Sequence, residues 1–302
     1  MECKCGRKAI YKRKWEGKGY CGFCLSRVVE KTFKQTTSNT SLIEGKDKIA
    51  VAISGGKDSS VLLKLLYKTF KENRNVELVP ILIDEGIKGY RDKSIKYAKK
   101  LCKRLDLNLN IFSFGNEFDL KLDELGDVKF CTYCGIFRRY LLNKKAREMD
   151  CNKMVVGHNL DDEAESVMMN FIRDDISRFK RLGAEPSLLD DKKFVPRFKP
   201  LRKLSEKELT IYAIFNDLPF FEGECPYSQD NVRRDVLNVI NNLEEKYPGT
   251  KVKIVSFYDK LKPELNTKVK GALKYCKKCQ EPTSKEICQT CKKLKELKEK
   301  SS

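Results

Sequence analysis

The feature that most constrains the fold of this chain is an apolar segment, KIAVAI at Lys48–Ile53, that leads without a linker into the hexapeptide SGGKDS. A short apolar run bounded by turn residues is typical of a strand buried in a sheet. Apolar residues recur at helical spacing after Lys57, so the pattern predicts a helix over Lys57–Phe70. The sequence therefore predicts a strand, a tight glycine turn and a helix in direct succession.

The turn between this strand and helix is suited to bind phosphate. Gly55 and Gly56 permit a tight turn and let backbone N–H groups approach an anion closely. The helix N-terminus adds positive potential, and the hydroxyl groups of Ser54 and Ser59 can donate hydrogen bonds. Lys57 is placed to meet a phosphate group. The loop is shorter than the GxxxxGK[ST] loop of P-loop NTPases, so we predict a different nucleotide cradle.

Strands and helices alternate along the middle of the chain. We predict further strands at Leu78–Ile83, Leu109–Phe114 and Lys153–Val156, and helices at Ser94–Leu105, Cys134–Met149 and Leu160–Ile172. This alternation predicts an α/β fold with a doubly wound parallel sheet, whose ligands bind at the carboxyl ends of the strands. A basic extended connector follows at Phe194–Lys203. Three more helices come after it: one from Ser205, which forms a capping box with Glu208, to about Asn216, one at Asn231–Lys246 and one within 251–262.

Sulfur is the chief metal ligand that this chain offers, because it has thirteen cysteines and one histidine. Eight of the cysteines form two terminal groups, Cys3, Cys5, Cys21 and Cys24, and Cys276, Cys279, Cys288 and Cys291. Four thiolates at such spacings suit tetrahedral zinc, and segments this short need a metal to fold. We predict a zinc-binding module at each end of the chain, with reactive or oxidatively paired thiols as the alternative.

These patterns divide the chain into four predicted regions. They are an N-terminal zinc module (1–27), a catalytic domain with the nucleotide site (28–220), a helical part of that domain (221–270), and a C-terminal zinc module with a tail (271–302).

The net charge of +19 favours a polyanionic partner, since binding to phosphates releases counterions, although a simple lysine-rich composition is the plain alternative. Lysine, arginine and aromatic residues surround both terminal cysteine groups, a mixture that suits RNA. No apolar run approaches the ~20 residues that cross a bilayer, and the N-terminus does not resemble a signal peptide. We therefore expect a cytoplasmic protein without a membrane partner.

A second loop, GHNLDDEAE at Gly157–Glu165, follows the predicted fourth strand and should emerge at the same sheet edge as SGGKDS. Gly157 would allow close approach to a nucleotide. Asp161 and Asp162 begin a helix, where acidic residues are favourable for structural reasons alone. Acidic residues beside ATP can also bind Mg²⁺ or accept a proton. His158 could serve as a base or simply pack the loop.

Two cysteines in the middle of the chain, Cys131 and Cys134, belong to the motif CxxCGxxRR, and Cys225 stands in GECPY. The close pair could be redox partners, zinc ligands or cluster ligands, and a proline after a ligand cysteine recurs in ferredoxin-type sites. If a helix includes Cys131, then Cys134 and Arg138 lie on one face of it, while Arg139 projects about a quarter-turn away. A cation at this position can neutralise phosphate or a developing oxyanion.

The hexapeptide resembles the PP-loop motif of ATP-dependent adenylating enzymes, which have an adenine nucleotide α-hydrolase-like fold. The resemblance implies that ATP loses pyrophosphate while AMP joins a carbonyl or amide oxygen. It implies that the nucleotide contacts Ser54, Gly55, Gly56, Lys57, Asp58 and Ser59, with the backbone near Ala52, Ile53 and Ile83 bordering the adenine. Asp84, at the end of the second predicted strand of the sheet, fits a contact to ribose or Mg²⁺, or a helix cap.

Taken together, the terminal cysteine groups, SGGKDS, CxxCGxxRR, GHNLDDEAE and GECPY resemble the tRNA 2-thiouridine synthetases. That family includes bacterial and archaeal two-thiouridine synthetases and the eukaryotic cytosolic thiouridylase. The resemblance implies that Cys131, Cys134 and Cys225 hold a [4Fe-4S] cluster, whose open iron carries sulfur to the adenylated uridine. The resemblance also indicates Asp161 as a catalytic residue. We predict that Arg138 and Lys57 are catalytic as well.

The function predicted from this resemblance is ATP-dependent thiolation of tRNA to give 2-thiouridine, with the wobble uridine favoured over the T-loop uridine. The expected cofactors are ATP, Mg²⁺, one [4Fe-4S] cluster and two Zn²⁺ ions. The expected partners are tRNA and a sulfur donor, either a ubiquitin-like thiocarboxylate carrier or free sulfide, and the chain is compatible with a homodimer. The alternatives are a tRNA 2-thiocytidine synthetase, another RNA-modifying PP-loop ATP pyrophosphatase and a non-enzymatic zinc-containing RNA-binding module.

Overall fold

The computed structural model describes residues 2–125, 130–185, 193–228, 232–265 and 274–301. The chain begins with an antiparallel hairpin of β1 (Tyr11–Arg13) and β2 (Lys18–Tyr20), followed by α1 (Gly22–Ser38). Helix α1 was not predicted. Its buried residues Leu25, Val29 and Phe33 recur at helical spacing, so the signal was present but interrupted by polar residues.

The central part of the chain alternates strands and helices. Its elements are β3 (Asp47–Ala52), α2 (Lys57–Phe70), β4 (Val76–Asp84), α3 (Arg91–Arg104), β5 (Asn110–Ser113), α4 (Phe114–Phe118), α5 (Phe130–Glu148), β6 (Lys153–Val155), α6 (Leu160–Ile172), α7 (Ile176–Phe179), β7 (Arg197–Phe198) and α8 (Glu206–Phe215). The strands form one parallel sheet in the order β5-β4-β3-β6-β7. The predicted α/β fold with a parallel sheet is confirmed.

Strand β3 lies at the centre of the sheet and is buried on both faces. Ile49 and Val51 pack into a core with α2 and α8, whereas Ala50 packs on the opposite face with Phe137 of α5. A strand covered by helices on both faces reads as a continuous apolar run, which is why KIAVAI lacks alternation. Because all strands are parallel, the loops after β3, β4 and β6 emerge at one edge.

Strand β7 differs from the prediction of an extended connector over Phe194–Lys203. Arg197 and Phe198 pair with Met154 and Val155 of β6, which adds a fifth strand to the sheet. A strand of two residues is too short to produce a periodic pattern, so only its partner strand identifies it.

The remaining elements are α9 (Val232–Lys246), α10 (Thr250–Leu261), β8 (Lys274–Tyr275), β9 (Pro282–Thr283) and α11 (Gln289–Ser301). The predicted capping box at the start of α8 is confirmed, since Ser205 and Glu208 exchange hydrogen bonds. Asn231, where a helix was predicted to begin, and the region boundary between 270 and 271 lie outside the described residues. Within the described ranges, no helix combines the length and apolar character needed to cross a membrane.

Candidate functional site

The SGGKDS loop joins β3 to α2 in a conformation that only glycine allows at one position. Gly55 has a φ of +83°, and a Cβ atom there would lie 2.1 Å from the carbonyl oxygen of Ser94 on α3. The Ser54 N–H donates to Ser59 Oγ at 3.2 Å, which closes the turn. The loop therefore combines a left-handed residue with close packing against a neighbouring helix.

Arg91 braces this loop from the next strand connection. Its Nη1 donates to the carbonyl oxygen of Ser54 at 3.0 Å, and its Nη2 pairs with the Glu85 carboxylate. Glu85 is fully buried, and its Oε1 lies 3.6 Å from Nη1 of Arg138 on α5. A continuous series of contacts thus joins the phosphate loop to the helix that carries the CxxC pair.

The second predicted loop lies against the first, as expected from the parallel sheet. A Cβ atom at Gly157 would lie 3.2 Å from the backbone nitrogen of Ser59. Asn159 caps α6 in a capping box with Asp162, and its Nδ2 donates to Asp58 Oδ2 at 3.3 Å. Glycine at position 157 allows the two loops to touch.

A cavity of about 400 Å³ opens at this sheet edge between the two loops and α5. The predicted residues in its wall are Ala52, Ile53, Ser54, Asp58, Ser59, Ile83, Arg138 and Gly157. Other described residues that line it are Glu85, Arg91, Arg139, Leu142, Val156, His158, Arg197 and Lys199. Gly55, Gly56, Lys57, Asp84 and Asp161 are not in the wall.

Two of the residues outside the wall have other contacts. Lys57 Nζ donates to Glu206 Oε1 at 2.6 Å, so it must exchange this carboxylate for a phosphate if it binds nucleotide. Asp84 Oδ1 accepts the backbone N–H of Gly86 at 2.9 Å within the turn after β4. The roles predicted for Lys57 and Asp84 stay predictions.

Asp161 is buried beside the phosphate loop, with both carboxylate oxygens engaged. Its Oδ2 accepts the backbone N–H of Glu206 at 2.9 Å, and its Oδ1 forms an ion pair with Lys251 of α10. These contacts hold α6, α8 and α10 together. The catalytic role that the family resemblance implies for Asp161 also stays a prediction.

The side chain of Arg139 on α5 does not point in the direction expected from the helical geometry. It was expected to point a quarter-turn away from Arg138, yet both line the cavity. A Cβ atom at Gly135 would lie 3.2 Å from Arg139 Nη1, so the guanidinium reaches back over the glycine one turn earlier. The position of a residue on the helix sets the direction of its Cα–Cβ bond but not the position of the end of a long side chain. At Arg139, the missing Cβ atom of Gly135 leaves space for the guanidinium group.

Other functional residues were missed because their signal is not local. The sequence identified the end of the strand correctly, but we predicted Asp84 as the site residue there, whereas the next residue, Glu85, lines the cavity. Arg197 and Lys199 lie in the predicted basic connector, and the short pairing of β7 is what turns that segment toward the cavity.

Two titratable groups in the cavity are shifted by their surroundings. Burial raises the pKa of Asp58 to about 7, although Lys57 opposes the shift. Desolvation, together with nearby cations such as Lys199, lowers the pKa of His158 to about 3, even though its ring is accessible from the cavity. The base role considered for His158 stays a prediction.

The Asp58 shift predicts a pH-dependent stability in the absence of nucleotide. Because the folded state binds a proton that the unfolded chain releases near pH 4, this group lowers the free energy of unfolding as the pH rises from about 4 to about 7. Asp58→Asn should therefore be more stable than the parent at pH 8, by at most about 4 kcal/mol, and by less at pH 5. Urea unfolding at both pH values measures the difference. Asp235→Asn, at an exposed position on α9, should show no such trend.

The three central cysteines are not among the residues that line this cavity, but Cys134 lies within the electrostatic influence of Arg138 and Glu85, which do line it. Cys131 is exposed in the first turn of α5, and its Sγ donates to the carbonyl oxygen of Tyr227 at 3.2 Å. The rings of Phe130 and Tyr227 stack at 4.0 Å, which holds the segment of Cys225 against the start of α5. Burial raises the pKa of Cys134 to about 11, against the influence of Arg138 nearby.

The terminal cysteine groups have tighter geometry than the central one. Within each predicted group of four, all sulfur atoms lie within 4.8 Å of one another, as a single metal ion requires. In the described residues the three central cysteines do not form such a group. Each terminal module is anchored by an ion pair, Arg13 with Glu208 of α8 and Arg147 of α5 with Glu281.

Comparison with known proteins places the fold and these loops in one family. Residues 25–244 match the family model described as PP-loop domain. The chain belongs to the PP-loop family. This membership accounts for the strand, glycine turn and helix at the centre of the sheet.

Relatives that match nearly the whole chain indicate which kind of PP-loop protein it resembles. The chain is 35% identical over 298 residues to the tRNA-5-methyluridine(54) 2-sulfurtransferase of Pyrococcus horikoshii, covering 97% of this chain and 93% of that protein. It is 36% identical over 307 residues to the cytoplasmic tRNA 2-thiolation protein 1 of Candida glabrata, and the match covers 97% of this chain and 84% of that protein. Among solved structures, the chain is similar to the U34-tRNA thiolase NcsA of Methanococcus maripaludis with its [4Fe-4S] cluster. The TM-score is 0.86 at 35% identity, and the match covers 98% of this chain and 96% of that chain. The predicted membership in the tRNA-thiolating sulfurtransferases is confirmed.

Proposed function

We propose that this PP-loop protein is an ATP-dependent tRNA sulfurtransferase that converts a uridine of tRNA into 2-thiouridine. The observation that carries the proposal is the cavity at the sheet edge, where the phosphate loop, the CxxC helix and a group of cations meet. Adenylation of a base and delivery of sulfur to the same carbon require that these parts face a single space.

The first proposed step joins AMP to the uridine. The 2-oxygen of the base attacks the α-phosphorus of ATP, and pyrophosphate leaves. Ser54, Ser59 and the N-terminus of α2 supply donors for the phosphates, and Arg138 stabilises the negative charge that develops. Sulfur then replaces the activated oxygen at the ring carbon, and AMP departs.

Asp58 fits the expected Mg²⁺ ion. Its Oδ1 is buried in the cavity wall and has no hydrogen-bond partner among the described residues, while Asn159 occupies the other oxygen. Carboxylate oxygens beside phosphates are the ligands that Mg²⁺ prefers, and the ion would neutralise charge on the phosphates.

The central cysteines fit a cluster rather than a single ion. Cys131, Cys134 and Cys225 offer three thiolates that are more widely spaced than those of the terminal groups. If these three cysteines hold a [4Fe-4S] cluster, it would have one iron without a protein ligand, and that iron could supply a binding place for an exogenous sulfur atom. The two terminal groups fit one Zn²⁺ ion each, which would hold the modules folded.

The proposed target is the wobble uridine, supported by the full-length structural similarity to a U34-tRNA thiolase. The relative named for position 54 has the same 35% identity, so the assay must identify the position. We propose a cytoplasmic location, in line with the name of the Candida glabrata relative. The sulfur donor is either a ubiquitin-like thiocarboxylate carrier or free sulfide, and the chain is compatible with a homodimer.

Reconstitution tests the proposed function directly. The protein is purified without oxygen, loaded with iron and sulfide, and incubated with ATP and tRNA that lacks thionucleosides. Mass spectrometry of nuclease fragments should reveal 2-thiouridine at position 34, and omission of ATP should abolish it. If cluster-loaded protein and authentic tRNA yield no thionucleoside, the proposal is wrong.

The ion pair of Asp161 provides a separate prediction. Because Asp161 and Lys251 form a buried ion pair, Asp161→Asn and Lys251→Met should each lower the melting temperature. Each substitution leaves a buried charge without its partner. If Asp161 acts only through this ion pair, the loss of thiolation in Asp161→Asn should not exceed the loss in Lys251→Met. Melting curves and rates for both variants measure this. An inactive Asp161→Asn protein with an unchanged melting temperature would instead support the catalytic role.

A further inference from the structure

Three arginines share one wall of the cavity. Arg138 and Arg139 come from α5, and Arg197 comes from the edge strand β7. Arg197 Nη2 donates to the backbone carbonyl oxygen of Arg139 at 2.8 Å, so these two residues are in direct contact. Gly135 leaves room for the Arg139 guanidinium to turn toward the same wall.

The charges on this wall are not balanced by the protein. Glu85 lies 3.6 Å from Arg138, but across the described parts of the chain no carboxylate pairs with Arg139 or Arg197. Burial, together with the neighbouring charges of Arg139 and Arg138, lowers the pKa of Arg197 to about 10. Positive charges held together in this way are stabilised when an anion joins them.

The position of these arginines indicates which anion they bind. The phosphates of ATP already have the donors of the loop between β3 and α2. Arg139 also lies within the electrostatic influence of Arg178 on α7 and Arg233 on α9, but these two arginines already pair with Asp175 and Glu165. Arg139 and Arg197 are adjacent and have no carboxylate partner among the described residues, which suits an extended polyanion, because successive phosphates of a strand can each meet one of them.

We propose that Arg139 and Arg197 form a binding site for backbone phosphates of the tRNA next to the target nucleotide, and that they do not serve ATP. A guanidinium group binds phosphate through two parallel hydrogen bonds, so two of them would fix the position of the strand as well as attract it. The inference rests on the proposed function, since it takes the polyanion to be tRNA.

The salt dependence of tRNA binding tests this site. The full-length variants are Arg139→Ala, Arg197→Ala and the double variant, with Arg74→Ala as the matched control. Arg74 is exposed in the turn before β4, at the opposite edge of the sheet. Dissociation constants for tRNA are measured over a range of salt concentrations, and the dissociation constant for ATP is measured in parallel by calorimetry.

Each single substitution should weaken tRNA binding by about tenfold, the effect of losing one hydrogen-bonded charge contact. The slope of log K against log salt should decrease in magnitude by about 0.7 to 0.9 for each lost phosphate contact. ATP binding should stay within about twofold of the parent, as should all values for Arg74→Ala. Arg139→Lys should keep the slope of the parent but not its full affinity, because lysine retains the charge and lacks the fork.

Folding is a further readout, and it keeps the test decisive. Removing a cation that has no carboxylate partner should leave the melting temperature at low salt unchanged or raise it, and glutamine variants repeat the test if an alanine variant folds poorly. If the parent binds tRNA and the variants match it in affinity and slope, the inference is wrong while the proposed function stands. If ATP affinity falls instead, the arginines belong to the nucleotide site. If the parent itself fails to bind tRNA, the proposed function fails.

Discussion

Replacing Gly55 by alanine should weaken ATP binding by about 30-fold or more. The backbone at this position has a φ of +83°, which costs a residue with a Cβ atom about 1 to 2 kcal/mol. The new methyl group would also lie 2.1 Å from the Ser94 carbonyl oxygen, so the loop must move away from α3. Overpacking of this kind typically costs a further 1 to 3 kcal/mol.

Titration calorimetry with ATP measures the effect, and a melting curve shows that the chain still folds. Gly45→Ala is the matched control, because a Cβ atom there meets no other atom within 4 Å. Gly56 gives a second comparison inside the same loop, since its φ of −83° suits any residue and its Cβ would make only an ordinary contact. Normal ATP affinity in Gly55→Ala would mean that the nucleotide does not bind at this loop.

Replacing Cys225 by serine should abolish cluster assembly and, with it, thiolation. A serine oxygen is a poor substitute for the thiolate that iron–sulfur clusters use. The reconstituted variant should lose both its bound iron and the visible absorption of the cluster, and the tRNA should contain no thionucleoside above background.

Cys102→Ala is the control for this experiment, because Cys102 is a buried thiol on the core-facing side of α3. It should retain the cluster and the activity of the parent, apart from a small loss of stability. If Cys225→Ser assembles the same cluster and is fully active, the third ligand lies elsewhere, whether or not the proposed function holds.

The parts of the site that could be predicted from sequence are those that depend on neighbours along the chain. The strand, turn and helix around Ser54–Ser59 are local, and the structure places them as predicted. The same holds for the capping box at Ser205, where both partners lie within four residues. Local chemistry determines local geometry in these segments, so no knowledge of the fold was needed.

The parts that could not be predicted depend on contacts between distant segments. Arg91 supports a carbonyl group 37 positions earlier, and Lys251 pairs with an acid 90 positions earlier. Either residue alone reads as an ordinary surface cation. Arg139 was misjudged for a related reason, since the reach of a long side chain depends on the space beside it.

The buried Glu85 has a consequence for the order of events in the site. Its carboxylate is shared by Arg91, which holds the phosphate loop, and Arg138, which faces the centre of the cavity. Separating a buried carboxylate from either cation is unfavourable, so the two arginines cannot move independently. We therefore expect that a nucleotide which shifts the loop, and Arg91 with it, also changes the position of Arg138. The shared carboxylate of Glu85 would in this way couple occupancy of the phosphate loop to the orientation of Arg138.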